Sequence, residues 1–377
     1  MSEWMRTAMN WQKNFHRLMT GHDEARVPLD LPVTPPVVDR IAQHYGTRDA
    51  VSAFDLGFRG VGIDWLVGGG DRRAWLDAYA CLGVTMPVNV ELNCFGIAHL
   101  PPPAASVGEA YHFREMLHPL ASITDVEQLV ALPWPDIERA AGDPGLGQRV
   151  AAVHREGRVA VLGLECTAFE STWYLRGMDN VFVDLIEDTG ISQWLLDWFT
   201  RRSIAAAIAG VHAGVDVVGL GDDIGTQRGM MMAPEFWRQH LKPRLAQVIA
   251  AVREHERGQR VYVRYHSDGD VRAVIDDLIE VGVDILNPLQ PECMPHDEVI
   301  PRYRDHLAFW GLIGTQTTMP FGTPDDVRSA VDRCRRHVRD GARIVIAPTH
   351  VLEPDVPWSN ITALVDHVIG LPTKATP

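Results

Sequence analysis

Short apolar, β-branched runs recur along the chain, and helix-patterned stretches separate most of them. The first is 27–31 (VPLDL). The second starts as 54–58 (FDLGF) and continues through 61–63 (VGI), where glycines weaken it. The others are 159–163, 215–219, 261–265, 283–286, 307–311 and 343–347. Most are apolar at successive positions rather than alternate ones. That pattern suits parallel strands covered on both faces.

Helix signals fill the gaps. Pro234 and Glu235 suit a first helical turn, and the helix they open runs on towards Val252. Between Asp270 and Val281, the residues Val271, Val274, Ile275, Leu278 and Ile279 share one face, and Gly282 is a natural stop. Thr323 followed by Pro324 reads as a cap and first turn, with the helix ending near Gly341. Thr124 and Glu127 have capping-box spacing. The stretch 203–220 is nearly apolar, but His212, Asp216 and its glycines fit a helix ending at Gly214 and a buried strand better than a membrane span.

Eight strand candidates alternating with helices predict an α/β fold, a (β/α)8 TIM barrel with an elaborated N-terminal region. The 377 residues are read as one barrel domain, with about 68–158 as the elaboration. That interval includes Pro101-Pro102-Pro103. A doubly wound open sheet is the alternative, yet no GxGxxG follows its first strand, and Gly68-Gly69-Gly70 reads as a turn. The tail 372–377 is expected to be loose.

Composition narrows the function classes. Hydrophobic residues at 46% and charged residues at 22% fit a soluble protein with a large core. A net charge of -14 without a Lys/Arg-rich run excludes a nucleic-acid binder and disfavours an anionic membrane surface. Five scattered cysteines with no CxxC pair point to a reducing compartment, and the opening residues lack the apolar segment of a secretory signal. A cytoplasmic location is therefore expected.

In a barrel, polar residues just after a strand line the active site. Four places qualify. In 219–229 (GLGDDIGTQRG), Asp222 and Asp223 can hold a cation or position a proton donor, with Gln227 nearby; a capping loop is the plainer alternative. In 265–270 (YHSDGD), His266 and Asp268 alternate with Ser267, so an extended backbone points both to one side. That pair suits a metal or an acid–base dyad, or else a hydrogen-bonded turn. His350 follows another strand, with Glu353 and Asp355 in its loop. Glu165 follows the 159–163 run, in 163–166 (GLEC), and either joins the pocket or caps a helix. Met230-Met231-Met232 reads as packing, and Cys293 as an ordinary buried thiol.

The runs GDDIGTQRGMMMAPEFW, YHSDGDVRAVIDDLIEVGVDILNPLQPE, FWGLIGTQ with GTPDDVR, and IAPTHVLEPDVPWSNI, in this order, resemble the uroporphyrinogen decarboxylase superfamily. HRLMTGHDEARVPLDL and SITDVEQLVALPWPD are also similar to it. The resemblance implies a (β/α)8 barrel, commonly a homodimer, in one of two branches. One is the cofactor-free decarboxylases of uroporphyrinogen. The other is methyltransferases that work with corrinoid proteins, often with zinc. The decarboxylase branch carries an N-terminal arginine-rich motif, RQAGRYxPEY. Only isolated Arg17 and Arg26 stand in that region here. His350 matches a histidine of that branch.

Zinc-binding members of the other branch have His-x-Cys and a later Cys. His266 matches the His, Asp268 stands in place of the first Cys, and His350 lies near the second. Carboxylate and imidazole make a harder ligand set than thiolates. The resemblance thus implies methyl transfer from a small methylated compound to a corrinoid protein. Zn2+ would be held by His266, Asp268 and His350, with His266, Asp222 and His350 as catalytic residues. Asp223, Gln227 and Glu165 would contact the substrate. Uroporphyrinogen decarboxylase or a related cofactor-free decarboxylase is the alternative.

Overall fold

In the computed structural model, which describes residues 9–22, 25–65, 71–101, 111–112 and 114–370, seven of the apolar runs pair as parallel strands. They are β1 (Phe58–Val61), β2 (Val159–Glu165), β3 (Val217–Gly221), β4 (Tyr262–His266), β5 (Ile285–Asn287), β6 (Ala308–Trp310) and β7 (Ile344–Val345), adjacent in that order. Each step crosses at least one helix, as parallel pairing requires. The result is the expected TIM-barrel architecture. Gly68-Gly69-Gly70, Pro102-Pro103 and the tail 372–377 lie outside the described residues.

Several boundaries differ from expectation. The 27–31 run is reduced to one parallel bridge, Leu29 to Ile346, with Asp30 N–H donating to the Ile346 carbonyl. One proline and one aspartate in those five residues leave little ladder to build. The 233–252 helix breaks at Leu241 into Pro234–His240 and Lys242–His255, because Pro243 starts a new first turn. The 270–281 helix opens as a tighter 3-10 turn at Arg272–Val274. The cap expected at Thr124 is supplied by Asp125, whose side chain accepts from Gln128 N–H. Thr323 does form the reciprocal box with Asp326.

The elaboration contains a three-stranded antiparallel sheet, Glu91–Leu92, Ala98–His99 and Met116–Leu117. Buried Arg176 ties its exit to the barrel. The guanidinium donates to the carbonyls of Leu120, Ala121 and Ile123 and pairs with Asp184. Residues 203–220 divide as expected, into the end of helix Ile191–Ala213 and strand β3, with Gly214 left-handed between them. No helix among the described residues is long and apolar enough to cross a membrane.

The helix α1 (Trp11–Met19) closes the amino end of the barrel. Phe15 is fully buried against Phe58, Val159, Val217, Tyr262 and Trp310. Beside it, buried Asp216 accepts hydrogen bonds from Gln12 Nε2, His16 Nε2, His154 Nε2, Gln259 Nε2 and Ala160 N–H, at 2.8–3.1 Å. Burial alone would raise the Asp216 pKa, but these donors outweigh it and hold it below the usual value. Its stabilisation is therefore full above the unfolded pKa of about 3.9 and fades as pH falls through the folded value. Asp216→Ala is expected to cost about 3 kcal/mol in denaturant unfolding at neutral pH, since it strands several buried donors. The gap to wild type should narrow on acidification below about pH 4.

Candidate active site

At the opposite end, the carboxyl ends of the strands surround a cavity of about 540 Å³. Its polar lining includes Asp30, Glu165, Glu170, Asp223, Arg264 and the three histidines His112, His266 and His350. Phe58, Tyr174 and Trp310 supply aromatic wall.

The register of β3 and β4 places the chemistry. Gly221 pairs with His266. A Cβ on Gly221 would lie 2.4 Å from the His266 carbonyl oxygen, so only glycine lets the two strand ends run this close. The chains then continue side by side, and Asp268 N–H donates to Asp223 Oδ1 at 2.7 Å. Asp223 Oδ1 also lies 3.8 Å from His266 Nε2. The loop after β7 brings His350 to the same place, its ring centroid 6.3 Å from that of His266. One ligand atom each from His266, Asp268 and His350 falls within 4.8 Å of the others.

These donors fit a divalent cation. Asn287 Nδ2 donates to the Trp310 carbonyl, so Asn287 Oδ1 is the acceptor facing His266 Nδ1 at 2.8 Å. With Nδ1–H donating, the Nε2 lone pair is left for a ligand. Asp268 Oδ1, 4.0 Å from that Nε2, is buried without a hydrogen-bond partner. Burial lowers His350 first, and neighbouring His266 adds to this, bringing it to about 4, so its imidazole stays neutral and able to coordinate. Burial also pushes Asp268 up to about 6, against the pull of His266. For His266, burial acts downward, but Asp268 and Asp223 outweigh it and raise the pKa; the pocket favours positive charge at this point.

The other expected residues are placed as follows. Glu165 lines the cavity, paired with Arg264, whose guanidinium stacks 4.7 Å from the Trp310 ring centroid. Gly219 makes room for that pair, because a Cβ there would meet Glu165 Oε1 at 2.7 Å. The expectation for Asp222 is corrected. It is not among the cavity-lining residues; its buried carboxylate accepts from the N–H groups of Ala168 and Glu170 at the start of helix α2 (Phe169–Arg176). It caps that helix from outside, as the plainer alternative held. Burial raises it to about 6, against these amides. Gln227 is exposed on the hairpin of Gly225–Thr226 and Gly229–Met230, accepting from Gln290 Nε2 at 3.3 Å, and is likewise absent from the lining.

Glu353 accepts from the N–H groups of Tyr111 and His112, holding His112 against His350 with ring centroids 4.6 Å apart. Cys293 is buried and raised to about 11 by burial, an inert thiol.

Sequence reasoning missed His112, Asn287, Glu170 and Tyr174. Asn287 ends a strand, so its position was a signal. Glu170 and Tyr174 sit one helical turn apart on α2, and that spacing alone does not distinguish a cavity wall from a surface pair.

The sequence model of the uroporphyrinogen decarboxylase (URO-D) family matches residues 108–370. Two records of a methylcobamide:CoM methyltransferase, MtaA, are similar over 180 residues. The one from Methanosarcina barkeri is 27% identical, and the one from its strain Fusaro is 26% identical. Each match covers 48% of this chain and 49% of the relative, so the chain spans about half the length of these curated relatives. Among solved structures, a methyltransferase from Methanosarcina mazei superposes with a TM-score of 0.58 at 17% identity, covering 96% of this chain and 98% of its own. That likeness supports the fold alone.

Asn287→Leu removes the acceptor that orients His266. Zinc affinity, measured by competition with a chromogenic chelator, is expected to fall about 10–100-fold while the fold is retained. An unchanged affinity would mean that the Asn287 contact does not set the ligand geometry.

Proposed function

The chain belongs to the uroporphyrinogen decarboxylase (URO-D) family, and from that premise we propose that it is a methyltransferase moving a methyl group from a small methylated compound to the corrinoid of a separate protein. His266, Asp268 and His350 would hold a metal ion, zinc being the best match to two imidazoles and a carboxylate. The observation that carries this reading is the convergence of those three donors, from two separate strand ends, on one cavity.

Bound there, zinc would supply Lewis acidity to the heteroatom carrying the methyl group. The chain's own residues do the positioning. Asn287 orients the His266 ring, and Asp223 pins the backbone of Asp268. Phe58 and Trp310 give the cavity an apolar wall that displaces water from a small substrate. The similarity to a methylcobamide:CoM methyltransferase supports the corrinoid partner.

The charge balance weighs against the decarboxylase alternative. Arg264 is the one guanidinium among the described lining residues, and Glu165 already engages it. Carboxylates at Asp30, Glu170 and Asp223 share the lining. A substrate with eight carboxylates needs arginine forks instead.

The test is metal analysis with a transfer assay on the purified full chain. Roughly one zinc per chain is expected, lost in His266→Ala. Methylation of cob(I)alamin by a methyl donor is expected to fall at least about 100-fold in that variant. A metal-free protein that is fully active would remove the metal role. Conversion of uroporphyrinogen to products with fewer carboxyls would replace methyl transfer with decarboxylation.

A further inference from the structure

Breaking the bond between a methyl group and a neutral oxygen or sulfur leaves the electron pair on the heteroatom. The methyl passes to the corrinoid acceptor, and the departing group needs a proton to leave as a neutral alcohol or thiol. Something in the cavity has to hold that proton beforehand.

Most carboxyl groups lining the cavity are already engaged. Glu165 pairs with Arg264, and Asp30 accepts from Trp310 Nε1 at 3.1 Å. Asp223 accepts from the Asp268 amide beside His266. Glu170 differs. It is 7% exposed, lines the same cavity, and has no Lys, Arg or His of the described residues paired with it. Its Oε1 accepts from Tyr174 O–H at 2.8 Å and its Oε2 from Asp223 N–H at 3.0 Å. Each oxygen keeps one further lone-pair direction. Asp223 therefore joins Glu170, through one residue, to the cluster of His266, Asp268 and His350.

Resting on the methyl-transfer reading, we propose that Glu170 is the general acid of this site, protonating the heteroatom as the methyl group departs, with Tyr174 as its positioning residue. The bond between methyl and heteroatom breaks. The methyl goes to the reduced corrinoid of the partner, the electron pair stays on the heteroatom, and the Glu170 proton neutralises it. Tyr174 O–H and Asp223 N–H then stabilise the carboxylate, and water reprotonates it after product release.

The surroundings suit this task. Asp222 and Asp223 face Glu170 from the loop after β3, Tyr174 from its own helix, Cys166 from the end of β2 and Tyr265 from β4. Burial, then the charges of Asp223 and Asp222, raise Glu170 to about 8, so the carboxyl keeps its proton at neutral pH. The raised pKa means that the acid form is full below that value and lost as pH rises through it.

The test uses the full chain, free cob(I)alamin as acceptor and two kinds of donor. Methoxybenzenes with graded ring substituents release a phenol that needs a proton. Tetramethylammonium and trimethylsulfonium release neutral trimethylamine or dimethyl sulfide, which need none. Glu170→Gln is expected to slow ether cleavage by about 100-fold or more, most for the least acidic phenols, and to spare the onium donors. Wild-type ether cleavage should fall above about pH 8, and the variant should lose that fall. A protonated-carboxyl infrared band at neutral pH, absent from Glu170→Gln, reports the acid independently of turnover. Equal slowing of both donor kinds, no slowing, or no such band would overturn the role. A wild type that keeps the band but is inert to every donor would overturn the methyl-transfer reading instead, and this role with it.

Discussion

The rim of this barrel depends on how closely the third and fourth strands run together. Gly221 lies opposite His266 with no side chain between them, so the loops that continue from both strands stay within hydrogen-bond reach. The amide of Asp268 then finds the Asp223 carboxylate, and the amide of Asp223 finds Glu170. One backbone approach thus assembles residues from two loops and a helix. A methyl group at Gly221 would have to push the strand ends apart, because its neighbours would be the His266 carbonyl group and Cβ, which are fixed by the backbone and cannot swing away.

A second principle is the division of labour among acidic groups that a chain-wide charge count treats alike. Asp216 is held ionised by many donors at the amino end, where it fastens α1 to the barrel. Asp222 is spent on capping α2. Glu165 offsets Arg264. Asp268 and Glu170 retain raised pKa values because burial outweighs the donors they receive. The net charge of -14 says nothing of these differences; partner and depth decide them.

Much of the barrel was legible because parallel strands buried on both faces need near-continuous apolar runs, and the spacing between those runs leaves room for crossover helices. The places that failed are places where local signals compete. The run at 27–31 has the apolar residues of a strand but also Pro28 and Asp30, and it keeps a single bridge. Thr124 and Asp125 are both able caps, and only the packed helix shows which one is used. His266, Asp268 and His350 were legible as strand-end polar residues, with the resemblance supplying their grouping. Glu170 and Tyr174 lie inside a helix, where a polar pair one turn apart gives no local sign of facing a cavity.

Asp222 and Asp223 mark the boundary between the two kinds of knowledge. Their adjacency after a buried strand, and hence the presence of carboxylates at the rim, follows from the order of residues, as does the alternation that sends neighbours to opposite sides. Which of the two faces the cavity and which turns back to cap a helix is not a local property. The tertiary structure decided it, because the start of α2 offers unpaired N–H groups to Asp222 while the end of β4 offers its amide to Asp223. The helix and the strand lie far from the pair along the chain, and they meet it only when the barrel curls.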